Sequence, residues 1–297
     1  MKKWIAALLA LAMVCSMIPA ALGEDTPVYL ALGDSLTTGY GLAKKEECFA
    51  RILADANGYL LINRAVNGNT SSGLLEQMHS SPVLRDVARA DLITITCGGN
   101  DLMGCLYQQI VAVYNTAFAA KYAVRPQDVM DVLGNDKDPR QPVLMMAAIS
   151  VLAGNADLGI APFVQSEEIK ETLAAYLQNM GAVMAIIRKE NPDVKVIMTT
   201  QFNPYGHFDG AYTALNISAD AGVGALSKLI GEYADALGYQ VADVYDVVKA
   251  CPDNLMNASM NPLNMDVHPN AAGHALIAEC IQQTLHSDTD TPLSSSH

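Results

Sequence analysis

The stretch YLALGDSLTTGYG, Tyr29 to Gly41, decides the fold. Apolar residues run to Leu32 and stop at Gly33-Asp34-Ser35, and two further glycines, Gly39 and Gly41, follow. A short apolar run bounded by glycine reads as a buried strand. A serine just past such a strand serves most often as a helix cap. It also serves as a nucleophile held at the mouth of a sheet. What the other strand ends carry separates the two readings.

Working outward, strands are predicted over Val28-Leu32, Tyr59-Ile62, Leu92-Thr96, Val194-Thr200 and Tyr239-Val244. Helical periodicity fills the gaps. Glu168-Arg188 places Ile169, Leu173, Leu177, Met180, Met184 and Ile187 on one face and stops at Asn191-Pro192. Ile217-Leu237 ends at Gly238, and Ala271-Leu285 is a last amphipathic helix. Strands alternating with helices predict an α/β fold, a parallel sheet covered on both faces. Ligands of such sheets bind at the carboxyl ends of the strands.

One region breaks the rhythm. Residues 104–165 are too long for an ordinary crossover and read as a helical insertion, with helices expected over Leu106-Tyr122, Pro126-Leu133 and Val143-Leu152. We expect it beside the rim of the sheet, shaping access. Its apolar run PVLMMAAISVL is either the core of a helical hairpin or a wall for an acyl chain.

Residues 1–23 read as a secretory signal: Lys2 and Lys3, an apolar run from Trp4 to Ile18, then Ala21-Leu22-Gly23. That run is shorter than the ~20 apolar residues of a membrane span. The expectation is an exported protein with no stable membrane anchor, a domain over 24–285 and a disordered tail over 286–297. Losing the signal takes the net charge from -13 to -15. So acidic a chain argues against a nucleic-acid partner. Cys48, Cys97, Cys105, Cys251 and Cys280 remain, an odd number and no disulfide framework, with one or two bridges left open. No Cys or His spacing resembles a metal site, and no cofactor is expected.

The strand ends supply the chemistry. Strand two leads into NRAVNGNTSSG with Gly68, strand three ends in CGGND with Asn100, and MDVHPNAAGH puts His268 just before the final helix. Acyl transfer needs a nucleophile, a base and donors for the oxyanion. Ser35 offers the hydroxyl, and His268 can take its proton, since histidine as a residue type works as a base near neutral pH. The Ser35 and Gly68 N–H groups and the Asn100 amide offer the hole. Asp34, Asn203 and Tyr205 are candidate substrate contacts; the TTQFNPYGHF loop, which also carries His207, is otherwise a Pro/Gly turn with satisfied polar groups. There is no G-x-S-x-G elbow, no phosphate loop and no H-E-x-x-H.

GDSL with Ser35, NGNT with Gly68, GGND with Asn100 and DVHPN with His268, in that order, resemble the SGNH (GDSL) family of serine esterases and lipases. The resemblance covers roughly Val28 to Leu285 apart from the insertion. It implies a flavodoxin-like three-layer α/β/α sandwich with a five-stranded parallel sheet. It also implies hydrolysis of esters, with short acyl groups on carbohydrate or lipid-like esters as substrate classes. The alternative is a non-catalytic glycan- or lipid-binding relative. One position departs from the family: the acid three residues before the histidine is replaced by Met265, and Asp266 lies two before. Asp266 is the expected partner of His268. A backbone carbonyl or Asn264 could orient the ring instead, with Asp266 only tying down its loop.

Overall fold

The computed structural model describes residues 26–116, 122–210, 213–258 and 266–287. The signal-like residues 1–23, Asn264 and Met265 lie outside the described residues. So does most of the expected tail, although the last helix runs on to Ser287.

Five strands form one parallel sheet: β1 (Val28–Gly33), β2 (Leu60–Asn63), β3 (Leu92–Thr96), β4 (Lys195–Thr199) and β5 (Gln240–Ala242). Their order is β2-β1-β3-β4-β5. The chain therefore winds outward from β1 in one direction and from β3 in the other. This leaves a crevice at the carboxyl ends of β1 and β3, where ligands of doubly wound sheets bind. The α-helices between and after the strands are α1 (Ser35–Thr38), α2 (Phe49–Asn57), α3 (Ser71–Gln77), α4 (Ser81–Ala88), α5 (Gly99–Thr116), α6 (Val129–Leu133), α7 (Gln141–Ala153), α8 (Glu167–Glu190), α9 (Thr213–Glu232), α10 (Ala234–Leu237), α11 (Val244–Ala250) and α12 (Ala271–Ser287).

Alternation along the strands sends side chains to two cores. Leu30, Leu32, Ile93, Ile95, Val196 and Met198 face α3, α4, α5 and α8. Tyr29, Ala31, Leu92 and Ile197 face α2, α11 and α12. Each fully buried Leu or Ile contributes about 1.5–3 kcal/mol. The second face is not wholly apolar. Thr94 and Thr96 point into it, and the Thr94 hydroxyl pairs with the Tyr29 phenol at 2.6 Å.

The apolar side chains of residues 104–165 join the first core. Cys105, Ile110, Tyr114, Leu144, Ala147 and Val151 pack in one cluster with Leu30 and Ile93. The Met-rich run is thus core on one side of α7, while Met146 and Ile149 on the other side are exposed. The helix expected from Leu106 begins at Gly99 instead, because Gly99-Asn100-Asp101 continues from the strand end straight into α5. All five cysteines expected to survive cleavage are free thiols, so neither bridge left open by the sequence forms.

Gly33 is required where it stands. Its φ is 132°, and a Cβ there would lie 2.2 Å from the Thr96 carbonyl oxygen and 2.4 Å from its hydroxyl. Neither can retreat, since Gly33 and Thr96 are paired in the sheet register. Gly33→Ala should therefore lower stability by about 2–5 kcal/mol through backbone strain plus overpacking. Gly104→Ala is the control: its Cβ meets nothing within 4 Å on helix α5, and the change should be neutral or slightly stabilising. Urea unfolding of the two variants checks this; equal midpoints would mean that β1 and β3 do not constrain each other here.

Candidate active site

α1 is a single turn that starts at Ser35. Asp34 caps it, its carboxylate accepting the Leu36 N–H at 3.0 Å, and Gly39 ends it. Asp34 also accepts the Thr96 hydroxyl at 3.0 Å, and Thr96 meets the Thr37 hydroxyl at 2.8 Å. Asp34 is only 3% exposed. It underlies the serine turn and does not face the rim, so the expected substrate contact is corrected to an internal cap. Sequence could place it beside Ser35 but not show which way its side chain turned.

His268 reaches the same turn from the other end of the chain. Its Nε2 lies 2.9 Å from Ser35 Oγ. Its Nδ1 lies 2.5 Å from Asp266 Oδ1, and the same oxygen accepts the His268 backbone N–H at 3.0 Å. The two readings of Asp266 thus hold together: it ties down the loop, and by doing so meets the ring. The loop is braced from outside. Asn257 N–H donates to the His268 carbonyl at 2.8 Å, and Asn270 N–H donates to that of Leu255 at 2.9 Å. Asn270 caps α12 through the Gly273 N–H. Tyr40 packs its ring 4.6 Å from the imidazole. Sequence reading missed both Tyr40 and the 254–257 brace. Tyr40 could have been suspected inside the motif loop, whereas the brace has no motif.

Gly68 sits in the loop before α3, and Asn100 in the first turn of α5. One N–H of the Asn100 amide donates to the Asn69 carbonyl at 2.9 Å. An amide nitrogen carries two donors, so one remains for a ligand. The backbone N–H groups of Ser35 and Gly68 donate to no acceptor among the described residues. Gly68 is exposed, with φ 74°, and a Cβ there would meet nothing within 4 Å. The glycine answers to its backbone angle, not to crowding by the protein.

The loop after β4 behaves otherwise. Asn203 spends its amide on Asn216 at 2.7 Å and its oxygen on the Tyr205 N–H at 2.9 Å. Tyr205 is 5% exposed, its ring 5.2 Å from that of Phe208, and burial raises its phenol. His207 Nε2 lies 2.9 Å from the Asp253 carbonyl. The candidate substrate contacts Asn203 and Tyr205 are thus occupied in holding the loop. Asn203 does line a groove of about 450 Å³ with Pro204, His207, Asn216, Lys249 and Met256, but neither Ser35 nor His268 borders it.

Residues 31–276 match the GDSL-like Lipase/Acylhydrolase family. The chain belongs to that family. It is 21% identical to the protein YpmR of Bacillus subtilis (strain 168) over 87% of this chain and 81% of that one. Among solved structures it is similar to the lipase Lip_vut3 from a goat rumen metagenome, with TM-score 0.55, 20% identity, and 87% and 97% of the two chains covered. It is also similar to phospholipase A1 from Streptomyces albidoflavus NA297, with TM-score 0.54, 20% identity, and 87% and 99% covered. At such identities the structural likenesses speak for the fold, the five-stranded parallel sandwich of GDSL hydrolases. No group of three His, Cys, Asp or Glu side chains among the described residues is arranged to hold a metal ion. No helix among them is long and apolar enough to cross a membrane.

Two buried titratable groups flank the site. Burial raises the Asp34 carboxyl from 3.8 to about 6, against the opposing pull of the Leu36 N–H, the Thr96 hydroxyl and His268. Burial lowers His274 from 6.5 to about 4; its Nδ1 accepts the Phe49 N–H at 3.4 Å and its Nε2 has no partner among the described residues. The signs are opposite. Between about pH 4 and 6 the folded state holds the Asp34 proton that the unfolded state has released, so this group makes stability fall as pH rises. From about pH 4 to 6.5 the unfolded state binds a proton at His274 that the folded state refuses, so this one makes stability rise. Asp34→Asn should steepen the rise of stability with pH across that window, and His274→Asn should turn it downward, each by on the order of 2 kcal/mol. Denaturant unfolding at pH 4.5 and 6.5 reads the slopes; parallel profiles for all three chains would contradict both assignments.

Proposed function

We propose that the chain is an exported serine esterase that hydrolyses carboxylic esters through an acyl-Ser35 intermediate. The observation that carries this reading is the unbroken line from Ser35 Oγ to His268 Nε2 at 2.9 Å and from Nδ1 to Asp266 at 2.5 Å. With the Nδ1 proton donated to Asp266, Nε2 is free to accept the serine proton. Ser35 Oγ then attacks the ester carbonyl. The Ser35 and Gly68 N–H groups and the second Asn100 N–H receive the oxyanion. His268 returns the proton to the leaving alcohol. In the second half, water attacks the acyl-enzyme with His268 again as base, releasing the acid and Ser35.

The substrates proposed are short acyl or acetyl groups on carbohydrate, or lipid-like esters. Supporting the lipid side, two structures of similar fold are a lipase and a phospholipase A1. Export rests on the basic and apolar character of residues 1–23.

Ser35→Ala and His268→Ala should each lower the kcat for p-nitrophenyl acetate by about a thousandfold or more, and the double variant should lose no more than either, since the two act as a unit. Asp266→Asn should cost about tenfold or more, because the uncharged amide can no longer stabilise the imidazolium. An acyl-chain series with acetylated xylan and lysophospholipid ranks the substrate classes. Turnover that survives Ser35→Ala would overturn the acyl-Ser35 mechanism; ligand binding without any ester turnover would point to the non-catalytic binding relative instead.

A further inference from the structure

Asp101 follows Asn100 in α5, yet the proposed mechanism does not use it. Its side chain reaches Ser71, the first residue of α3. One carboxylate oxygen accepts the Ser71 hydroxyl at 2.5 Å, and the Ser71 backbone N–H donates at 2.9 and 3.2 Å to the two oxygens. Ser71 is fully buried, and its hydroxyl accepts in turn from the Asn179 amide of α8 at 3.0 Å. Helix α3 has its own cap already, Thr70, which accepts the Gly73 N–H at 3.2 Å. The carboxylate is therefore additional to ordinary capping. Burial raises its titration above the usual range, which marks a desolvated charge held in place at a cost.

Two successive residues of α5 thus bond to one short segment of chain. Asn100 grips the carbonyl of Asn69, and Asp101 grips Ser71 two residues on. Gly68 is the neighbour of that segment. The loop that carries Gly68 and the start of α5 that carries Asn100 are pinned to each other at two points. A single bond would let the start of α5 shift about it; the second, from the next residue, holds the backbone that carries the Asn100 amide. Donors of this kind lose most of their worth if they must reorganise during the reaction.

We propose that Asp101 is a positioning residue that fixes the Asn100 amide relative to the Gly68 N–H, resting on the esterase reading above. It touches no substrate. It acts by tying the start of α5 to the start of α3.

The test is steady-state kinetics on p-nitrophenyl acetate with Asp101→Asn, Asn100→Ala and the double variant. Asn100→Ala should lower kcat by about a hundredfold. Asp101→Asn should lower kcat about tenfold with KM within twofold. Its pH–rate midpoint should not move, because Ser35, His268 and Asp266 make no bond to Asp101. In the Asn100→Ala background, Asp101→Asn should have no further effect, since the amide it positions is gone. A merely structural role would multiply the two losses. Should Asp101→Asn fail to fold, Ser71→Ala removes the hydroxyl contact, leaves the backbone bonds, and should lower kcat a few-fold with the same loss of effect beside Asn100→Ala. Wild-type activity in the variant that folds, a shifted pH midpoint or multiplicative losses would overturn the inference while leaving the esterase reading standing. Absence of Ser35-dependent turnover in the unaltered protein would take both down.

Discussion

The close approach of Gly33 to Thr96 is the constraint on which the site depends. There the first strand leaves the sheet against the backbone of the third, with no space for a side chain. The tight exit aims Asp34 inward to the Thr96 hydroxyl and leaves Ser35 to begin a helical turn on the rim. The Gly33 carbonyl is used as well. It accepts the Val66 N–H at 3.0 Å and lies 3.5 Å from the Asn69 amide, so the loop that carries Gly68 is hung from the same point. Thr96 lies just before the Cys97-Gly98-Gly99 turn into Asn100. Three loops far apart in sequence are thereby referred to one junction of two strands. The strand order puts that junction at the place where the winding of the sheet reverses.

The fourth loop is held differently. His268 comes after the last strand and has no sheet position to fix it. The segment 254–257 runs alongside, pairs Met256 with Pro269, and takes the Asn270 amide on the Asn254 carbonyl at 2.9 Å. Gly273, in the first turn of α12, lets the Leu255 carbonyl come close: a Cβ there would be 2.4 Å from it. The second core, which packs α12 against α2 and the sheet, then sets the depth at which His268 meets Ser35.

The sequence carried the strands, the long helices and the four motif residues, because each is written in a local pattern. Apolar runs bounded by Gly33 and by Gly98-Gly99 mark strand ends whatever the rest of the chain does. The direction of a side chain is not local in this way. Asp34, Asn203 and Tyr205 lie on the rim loops, where polar and aromatic residues invite a substrate role, yet each is turned to a partner inside the fold. Thr96 was legible as strand but not as the hydroxyl that meets Asp34. Helix α5 begins earlier than its apolar periodicity, since Gly99 and Asn100 are poor helix formers that the strand end and the contacts of α3 hold in helical form. The brace at 254–257 is built from backbone bonds, which no residue type announces.

The departure at Asp266 shows how a local geometry can replace a spacing. An acid placed two residues before a histidine meets the ring only when the backbone between them holds both side chains in register. Here Asp266 Oδ1 accepts the His268 backbone N–H, which folds Asp266-Val267-His268 into a turn of the kind aspartate forms with its own backbone. The same oxygen then stands 2.5 Å from Nδ1. One atom thus sets both the backbone and the ring, and with Nδ1 so engaged, Nε2 is the nitrogen left to face Ser35. The shorter spacing concentrates on one oxygen two bonds that a carboxylate can share between two. It follows that the loop and the ring are not independent: whatever loosens the turn at Asp266 also turns the imidazole. The clamp at 254–257 and the Tyr40 ring, which press on that loop from outside, belong physically to the same device as the Ser35–His268 bond.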